Sequence, residues 1–354
     1  MHGNQDSPVR GLRLRTHALR FLLLSVTILL SGVVSSQSQE PPKPSRFEIG
    51  LIGDLPYSDD QVPKFSNLLQ ELNNANLAFV VHVGDFKAGD TLCSDEIFAH
   101  RKGLFQTSKN PFIYLPGDNE WTECYRDSAG FYDPPERLAK LRETFFPGDH
   151  SLGRRTLRLT RQSNDSRYAK FRENVRWTYG GVLFVGLHLV GENNNLGREP
   201  GADAEYAERN AANLVWLKQA FELAKRPGYK GLMLLMQANP YFEDRWRSLP
   251  VRLMRITPPD PKPSGYSDFL TALEREVLAF DKPVVLVHGD THYFRIDKPL
   301  FSPLSELLVV EHFTRVEVFG SPNVHWVRAI VDPSDPQVFT FKPEIVKKNL
   351  AQHK

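Results

Sequence analysis

The sequence predicts a layered α/β domain, because short apolar runs rich in β-branched residues alternate with segments of helical periodicity. Several of these runs end in a glycine followed by an acid. The predicted buried strands are residues 47–53, 77–84, 112–117, 181–190, 231–237 and 283–289. A length of 354 residues, with 41% hydrophobic and 24% charged residues, is typical of one large globular domain or one with insertions.

Three helices are predicted between the strands from apolar residues at i, i+3, i+4 and i+7. They cover residues 65–72, 214–224 and 269–277, and the third begins after Ser267 as its N-cap. A shorter helix is expected near residues 135–145. Helices of this kind cover the faces of a sheet in a layered domain.

The remaining segments predict how the fold closes and where it is elaborated. The runs 307–319, 325–331 and 338–341 have no helices between them, which predicts closing antiparallel strands. Residues 121–177 are interpreted as an insertion. The proline-rich segment 241–266 directly follows a strand end, so it forms either a wall of the site or a plain surface loop.

The first 36 residues have the form of a secretory signal peptide, with four arginines before an apolar run at 21–34 and small polar residues after it. This run is shorter than the roughly 20 residues of a membrane-spanning helix, which favours cleavage over retention as an anchor. We therefore expect an exported protein, periplasmic or secreted. Its parts would be a disordered segment 37–45, a domain over 46–345 and a tail at 346–354.

Charge and cysteine content narrow the classes of partner and cofactor. The formal net charge is +2, and loss of the signal peptide with its four arginines would leave the chain nearly neutral, so nothing indicates nucleic-acid binding. Cys93 and Cys124 are expected to pair, since disulfides persist outside the cytoplasm. Two buried thiols are the alternative, and zinc ligation is disfavoured because paired ligand spacing is lacking.

Polar residues that directly follow the predicted strands carry the chemistry, because ligands bind beyond the carboxyl ends of strands in α/β sheets. Five motifs lie at such points: Gly53-Asp54-Leu55-Pro56-Tyr57, Gly84-Asp85-Phe86-Lys87, Gly117-Asp118-Asn119-Glu120, Gln237-Ala238-Asn239 and His288-Gly289-Asp290-Thr291-His292. Each glycine can turn the chain sharply, so that the next aspartate points across the strand tips. Converging carboxylates repel one another unless a cation neutralises them, which predicts a divalent metal.

The order and spacing of these motifs resemble the calcineurin-like metallophosphoesterase superfamily, whose pattern runs Asp-x-His, Gly-Asp, Gly-Asn-His-Asp/Glu, a lone His and Gly-His-x-His. The likeness covers residues 47–297 and includes the runs VVHVGDF and GGVLFVGLHLV. It implies two mixed sheets packed face to face, with helices outside and catalytic loops at one edge. It also implies Asp54 as a ligand of one metal, Asp85 as a bridge between two, and His292 as a further ligand of the first.

The chain departs from the family pattern elsewhere. The first motif lacks its histidine, and Tyr57 is an alternative ligand there. In the third motif Asp118 takes the place of the metal-binding asparagine, and Asn119 that of the histidine that helps the leaving group depart. Gln237 and Asp290 replace histidines of the last two motifs. The expected metal ligands are therefore Asp54, Asp85, Asp118, Gln237, Asp290 and His292.

Three residues beside these ligands are candidate catalytic residues: Lys87, Asn119 and Glu120. Lys87 follows the bridging aspartate closely enough to touch a phosphate, and a solvated charge or surface ion pair is the alternative. Because Asn119 replaces a histidine, protonation of the leaving group should be weak. We therefore expect a preference for activated esters or slow turnover.

The departures are explained either by a site rebuilt from oxygen ligands or by a site that has decayed. Rebuilding is favoured, because Asp118, Asp290 and Gln237 are all oxygen donors, whereas decay leaves apolar or scattered replacements. Oxygen ligands favour manganese or magnesium over zinc or iron, with one or two ions bound.

The function expected from these features is an exported phosphoesterase that hydrolyses a small-molecule phosphomonoester or phosphodiester through metal-activated water. No nucleic-acid partner and no membrane partner beyond the signal peptide is indicated, and the oligomeric state stays open. The alternative is a non-catalytic protein that holds a metal or a phosphorylated ligand in the same cleft. A metal-free carboxylate hydrolase such as a glycosidase is disfavoured, because five loops supply acids where two would suffice.

Overall fold

The computed structural model describes residues 46–198, 201–242, 264–302 and 305–350, without the side chains of 305–307. The predicted signal peptide, the segment 37–45 and most of the proline-rich segment 241–266 lie outside the described residues. Within the described ranges, no helix combines the length and the apolar composition that a membrane crossing requires. The predicted tail is described to Leu350, and in this part Val346 is buried and the Asn349 amide donates to the Lys64 carbonyl.

Five strands form the first sheet. They are β1 (Phe47–Ile52), β2 (Val80–His82), β3 (Phe112–Tyr114), β13 (Trp326–Val331) and β14 (Phe339–Glu344), in the spatial order β14, β13, β1, β2, β3. β1, β2 and β3 run parallel, whereas β13 is antiparallel to both of its neighbours. The carboxyl ends of the three parallel strands therefore meet at one edge of the sheet, where the first three motifs begin.

Seven strands form the second sheet. They are β4 (Thr160–Arg161), β5 (Val175–Tyr179), β6 (Val182–Gly186), β7 (Gly231–Leu235), β8 (Val284–His288), β9 (Arg295–Asp297) and β12 (Phe313–Glu317). β6, β7, β8 and β12 are parallel, and β4, β5 and β9 pair antiparallel at the edges. A separate hairpin joins β10 (Phe301–Ser302) to β11 (Ser305–Val309).

Helices cover the outer face of each sheet. They are α1 (Val62–Asn74), α2 (Asp95–Gln106), α3 (Pro134–Phe145), α4 (Ala202–Ala224) and α5 (Ser267–Leu278). The apolar side of α1 packs with α2 and α3 on the first sheet. α4 and α5 pack on the second sheet.

The core lies in three layers, which confirms the predicted sandwich of two mixed sheets flanked by helices. Alternate residues of the strands, such as Leu51 of β1 and Phe184 of β6, are buried between the sheets in one apolar cluster. The intervening residues, such as Ile52 and Val185, pack against the helices instead. This division follows from the two-residue repeat of a strand, which sends successive side chains to opposite faces.

Several expectations need correction. Ser267 is the first residue of α5 and not its N-cap, since Tyr266 precedes the helix without a side-chain cap bond. β12 is antiparallel to β9 but parallel to β8, so the predicted antiparallel closure holds fully for β13 and β14 and only on one side for β12. The predicted insertion 121–177 contains β4 and the first three residues of β5, which are strands of the second sheet. The sequence analysis did not predict α2, because buried Arg101 interrupts the apolar side of this helix. The Arg101 side chain donates to the Phe86 carbonyl.

The predicted disulfide between Cys93 and Cys124 is confirmed, with the two Cα atoms 5.7 Å apart. Cys93 immediately precedes Ser94, whose side chain caps α2. Cys124 lies in the loop that follows the third motif, and its carbonyl accepts a hydrogen bond from the Tyr132 amide. The bond therefore fastens the loop of the third motif to the start of α2.

Candidate metal centre

The structure brings the four predicted aspartates to one edge of the sandwich. Asp54, Asp85 and Asp118 follow strands of the first sheet and are buried, whereas Asp290 follows β8 of the second sheet and is partly exposed. The amide of Asp290 donates to Asp54 Oδ1 at 2.9 Å, which joins the two sheets directly. The cleft between the strand ends is therefore lined by carboxylates from both layers.

The backbone turns at the aspartates more than at the glycines that precede them. Asp54, Asp85 and Asp290 have φ values of 54°, 57° and 78°, in the left-handed region that aspartate tolerates better than most residues. The predicted glycine turn is found at Gly84, with φ of 118°. At Gly289 the requirement is different, because a Cβ atom would lie 2.0 Å from Asp54 Oδ2.

Three buried carboxylate oxygens at this centre have no hydrogen-bond partner among the described residues: Asp54 Oδ2, Asp118 Oδ1 and Glu120 Oε2. Burial, reinforced by repulsion between the carboxylates, raises the pKa of Asp54 and Asp85 well above the usual range. The same causes raise the pKa of Asp118 to about 8 and that of Asp290 to about 6. Among the described residues no lysine or arginine forms an ion pair with these four aspartates, and a hard divalent cation fits this donor set.

The orientation of His292 suits a metal ligand. Its Nδ1 lies 2.7 Å from the Ser321 carbonyl oxygen, which can only accept, so Nδ1 carries the proton and Nε2 presents its lone pair. Nε2 lies 3.6 Å from Asp54 Oδ1 and 2.7 Å from Tyr57 Oη. Tyr57 Oη also lies 3.3 Å from Asp85 Oδ2. Fixing a histidine by a backbone carbonyl is the usual support of a metal ligand.

Gln237 is buried beside the aspartates, and both ends of its side-chain amide are engaged. Its Nε2 donates to Asp85 Oδ2 at 3.1 Å, and its Oε1 accepts from the Gly191 amide at 2.6 Å. In this arrangement Gln237 orients Asp85, and its predicted role as a ligand stays a prediction. The neighbouring Asn239 amide donates to Asp290 Oδ2 at 2.9 Å.

Glu120 lies beneath the centre, and its predicted catalytic role stays a prediction. It is fully buried, and its Oε1 accepts hydrogen bonds from the amides of Asp85 at 3.0 Å and Gly117 at 2.9 Å. The Tyr114 hydroxyl donates to the same oxygen at 2.6 Å. Glu120 thus fixes the backbones of the second and third motifs relative to each other.

Lys87 and Asn119 also belong to the frame of the centre. Lys87 is fully buried, which excludes the surface ion pair, and its Nζ donates to the carbonyls of Asn119 at 2.6 Å and Ala88 at 2.8 Å. Burial lowers the pKa of Lys87 to about 8. The amide of Asn119 donates to Asp85 Oδ1 at 3.1 Å, and its Nδ2 lies 3.3 Å from Tyr57 Oη. The catalytic roles of both residues stay predictions.

Two glutamates of the cleft were missed by the sequence analysis. Glu123 and Glu192 each place a carboxylate oxygen near Asp118, and the three ligand atoms lie within 4.8 Å of one another. Burial, followed by the charge of Asp118, raises the pKa of Glu123 to about 8. A signal for Glu192 was present, because Gly191-Glu192 follows the predicted strand 181–190 in the same strand, glycine and acid order as the other motifs.

Glu192 lies on an unusual backbone segment, which we term the left-handed turn (residues 192–195). Its four residues have φ values of 49°, 56°, 54° and 66°. Buried Arg209 donates to the carbonyls of Asn194 at 3.0 Å and His188 at 3.1 Å, and the Tyr266 hydroxyl accepts from the Asn194 amide at 3.2 Å. Each such residue costs on the order of 1–3 kcal/mol, so these contacts are needed to hold the turn.

Comparison with known proteins adds little beyond the fold. No protein-family model and no curated protein sequence matches the chain. A 5′-nucleotidase from Candida albicans SC5314 is 11% identical with a TM-score of 0.43, over 84% of this chain and 51% of that one, so the chain spans about half its length.

Two other solved structures are about equally distant or more distant. Phosphopantetheinyl hydrolase from Mycobacterium tuberculosis is 14% identical with a TM-score of 0.44, over 79% of this chain and 92% of that one. Vacuolar Protein Sorting 29 from Cryptosporidium parvum is 13% identical with a TM-score of 0.29, over 81% and 86% of the two chains. Similarities this distant say nothing about a reaction. The chain is an α/β protein of two mixed sheets whose strand ends hold a buried acidic cluster suited to a divalent cation.

Proposed function

We propose that the chain is an exported, metal-dependent phosphoesterase of the calcineurin-like superfamily, acting on a small phosphomonoester or phosphodiester. The observation that carries the proposal is the meeting of four aspartates and His292, whose Nε2 lone pair lies 2.7 Å from Tyr57 Oη, with buried oxygens of Asp54 and Asp118 left without partners. Buried carboxylates are costly unless they are paired or bind a metal. The order of the five motifs, which resembles that superfamily, supports the same assignment.

The residues present would divide the work as follows. Asp54, Asp85 and His292 would hold the cation, with Asp118 and Asp290 beside them. A divalent cation bound there would acidify a water molecule and offset charge on the phosphoryl group. Asp85 is fixed for this role by the Asn119 amide and by Gln237, and His292 by the Ser321 carbonyl.

The donor set also bears on the choice of cation and on the compartment. Among the predicted ligands His292 is the single nitrogen donor, and carboxylate oxygens suit manganese or magnesium better than zinc or iron. Export is supported by the signal-like sequence of residues 1–36 and by the disulfide between Cys93 and Cys124.

The test is hydrolysis of an aryl phosphate and an aryl phosphodiester with added manganese, magnesium or zinc. Asp85→Asn removes a carboxylate that would hold the cation, whereas Asp149→Asn removes a carboxylate that pairs with exposed Arg158 and serves as the matched control. We expect turnover that requires metal and that falls in Asp85→Asn by more than the roughly 100-fold typical of outer-shell mutations. The control variant should keep the wild-type rate.

Two other outcomes would replace the proposal. Metal binding that depends on Asp85 without turnover of any ester would favour the non-catalytic binding protein. Turnover that persists after removal of all metal would favour a hydrolase that works through carboxylates alone.

A further inference from the structure

We propose that Asp118, Glu123 and Glu192 form a second cation site, termed the outer site, next to the inner group of Asp54, Asp85 and His292. The inference deepens the proposed function and rests on it for the role of the inner group. It assigns to the second ion two glutamates that lie outside the five motifs.

The first observation is the geometry of the three carboxylates. One oxygen from each lies within 4.8 Å of the other two, which is a separation that one bound ion can span. Asp118 and Glu123 are 5% and 3% exposed, whereas the side chain of Glu192 is 44% exposed. The outer site would therefore have a buried floor and one ligand that faces solvent, which gives an ion a path of entry.

The second observation is independent of the clustering and concerns the Asp118 carboxylate alone. Its Oδ1 is buried and has no hydrogen-bond partner among the described residues. The carboxylate is aimed at the left-handed turn, because a Cβ atom on Gly191 would lie 2.7–2.8 Å from Oδ1, Cγ and Oδ2 of Asp118. A buried carboxylate oxygen without a donor needs an explanation, and a bound cation supplies one.

The charges around the outer site leave room for an ion. Arg126 donates to Glu123 at 2.7 Å and lies 3.2 Å from Glu192, so one guanidinium serves two carboxylates. Within the part of the chain that the structure describes, no ion pair joins Asp118 to a cation. The side chain of Arg126 is 36% exposed, so it can turn into solvent when an ion takes its place.

The surroundings explain why a second ion would lie here. Gln237, which stands where the superfamily has a histidine ligand, gives its oxygen to the Gly191 amide. That same bond holds Gly191 beside Asp118, and the next residue is Glu192 at the start of the left-handed turn. The left-handed turn is strained and is held by Arg209. It thus places the Glu192 carboxylate where the side-chain oxygen of Gln237, which is bound to the Gly191 amide, does not serve as a ligand.

Three carboxylates without a nitrogen ligand select a hard cation such as calcium, manganese or magnesium. The test is calorimetric titration of the full-length protein with Mn²⁺ in the absence of substrate. The variants are Asp85→Asn for the inner group, Glu123→Gln with Glu192→Gln for the outer site, and Arg126→Gln. Arg198→Gln is the matched control, since the Arg198 guanidinium lies on the Tyr125 ring and the described ion pairs of the two glutamates are with Arg126.

We expect two ions in the wild-type protein. The double glutamine variant should lose the second ion, with affinity at least about tenfold weaker, while Asp85→Asn retains it. Arg126→Gln should tighten the second ion several-fold, because the guanidinium no longer competes, and Arg198→Gln should leave it unchanged. Glu192→Gln alone, at an exposed position, guards against misfolding of the double variant and should also weaken the second ion.

The inference is overturned if the wild-type protein binds one ion, if the double variant keeps both, or if Arg126→Gln weakens binding. An active phosphoesterase with a single ion would overturn it and leave the proposed function standing. An inactive protein that binds two ions, one of them dependent on the glutamates, would support the outer site and contradict the proposed function.

Discussion

Gly289 packs directly against Asp54 of the inner group and leaves no room for a side chain. A methyl group there would lie 2.0 Å from Asp54 Oδ2, so Gly289→Ala should displace that carboxylate and lower both metal affinity and thermal stability. Gly103→Ala in α2 is the control, since nothing lies within 4 Å of its added Cβ. The control should stabilise the protein by about 0.5–1 kcal/mol. Equal melting temperatures for the two variants would contradict this account.

Asn119 leads to a prediction about substrates. An amide cannot protonate a departing alkoxide, so kcat/KM should fall steeply as the pKa of the leaving group rises. A series of aryl phosphates with leaving groups of graded pKa measures this slope. The variant Asn119→His should flatten it. A wild-type rate that does not depend on the leaving group would show that another residue donates the proton.

The sequence located Asp54, Asp85, Asp118 and Asp290 because each directly follows a strand, and the ends of parallel strands share an edge. Glu123 could not be found in this way, since its position depends on how the loop after the third motif folds against the disulfide. Lys87 illustrates a further limit. Its closeness to Asp85 was evident, but its burial against backbone carbonyls depends on tertiary packing.

The left-handed turn is held in place by a residue of the helix α4. On α4, Arg209 pairs with Glu205 four residues earlier and also holds the turn, and both side chains are largely buried. Arg209→Met should destabilise the protein by about 3–5 kcal/mol, because it leaves a buried carboxylate without its partner. It should also weaken the outer site.

The control for this prediction lies on the same helix. Lys218 and Glu222 have the same four-residue spacing but are 64% and 58% exposed. Lys218→Met should therefore change the free energy of unfolding by less than about 1 kcal/mol. Urea unfolding measures both variants. Similar losses for the two would show that the burial of Arg209 is irrelevant.

The elements themselves were predictable to different degrees. Buried parallel strands are recognisable in a sequence as apolar runs. Each of the six predicted runs contains a strand, although each strand is shorter than its run. The direction of β12 was missed, because direction is set by the path of the chain between strands and not by composition. α2 was not predicted for a similar reason. An arginine in the sequence is taken for a surface residue unless its buried partner, here the Phe86 carbonyl, is known.

At the scale of the whole molecule, the acidic centre should make stability depend on pH. In the absence of metal, the raised pKa values of Asp118 and Glu123, both about 8, mean that the folded state holds more protons than the unfolded state at pH 7. Stability should therefore fall as pH rises from 7 to 8, by up to about 1.4 kcal/mol per pH unit for each group.

The loss of stability with rising pH that is expected without metal should be offset when Mn²⁺ binds the carboxylates in place of their protons. Buried histidines such as His82, with its pKa lowered to about 4, oppose the trend only below about pH 6.5, where the unfolded histidine gains a proton. Melting temperatures in EDTA and in Mn²⁺ should thus diverge as pH rises through 7 to 8. Parallel curves would mean that these carboxylates bind no cation.

The bond between the Asp290 amide and Asp54 Oδ1 spans 236 positions of the chain. A ribosome delivers the two halves of the inner group far apart in time, and no early fragment contains a complete set of donors. Binding of the proposed metal would therefore have to wait until nearly the entire domain has emerged and both sheets have met. If the chain is exported as proposed, the ion supply of the compartment in which it folds, more than the order of intrinsic affinities, would decide which metal it carries.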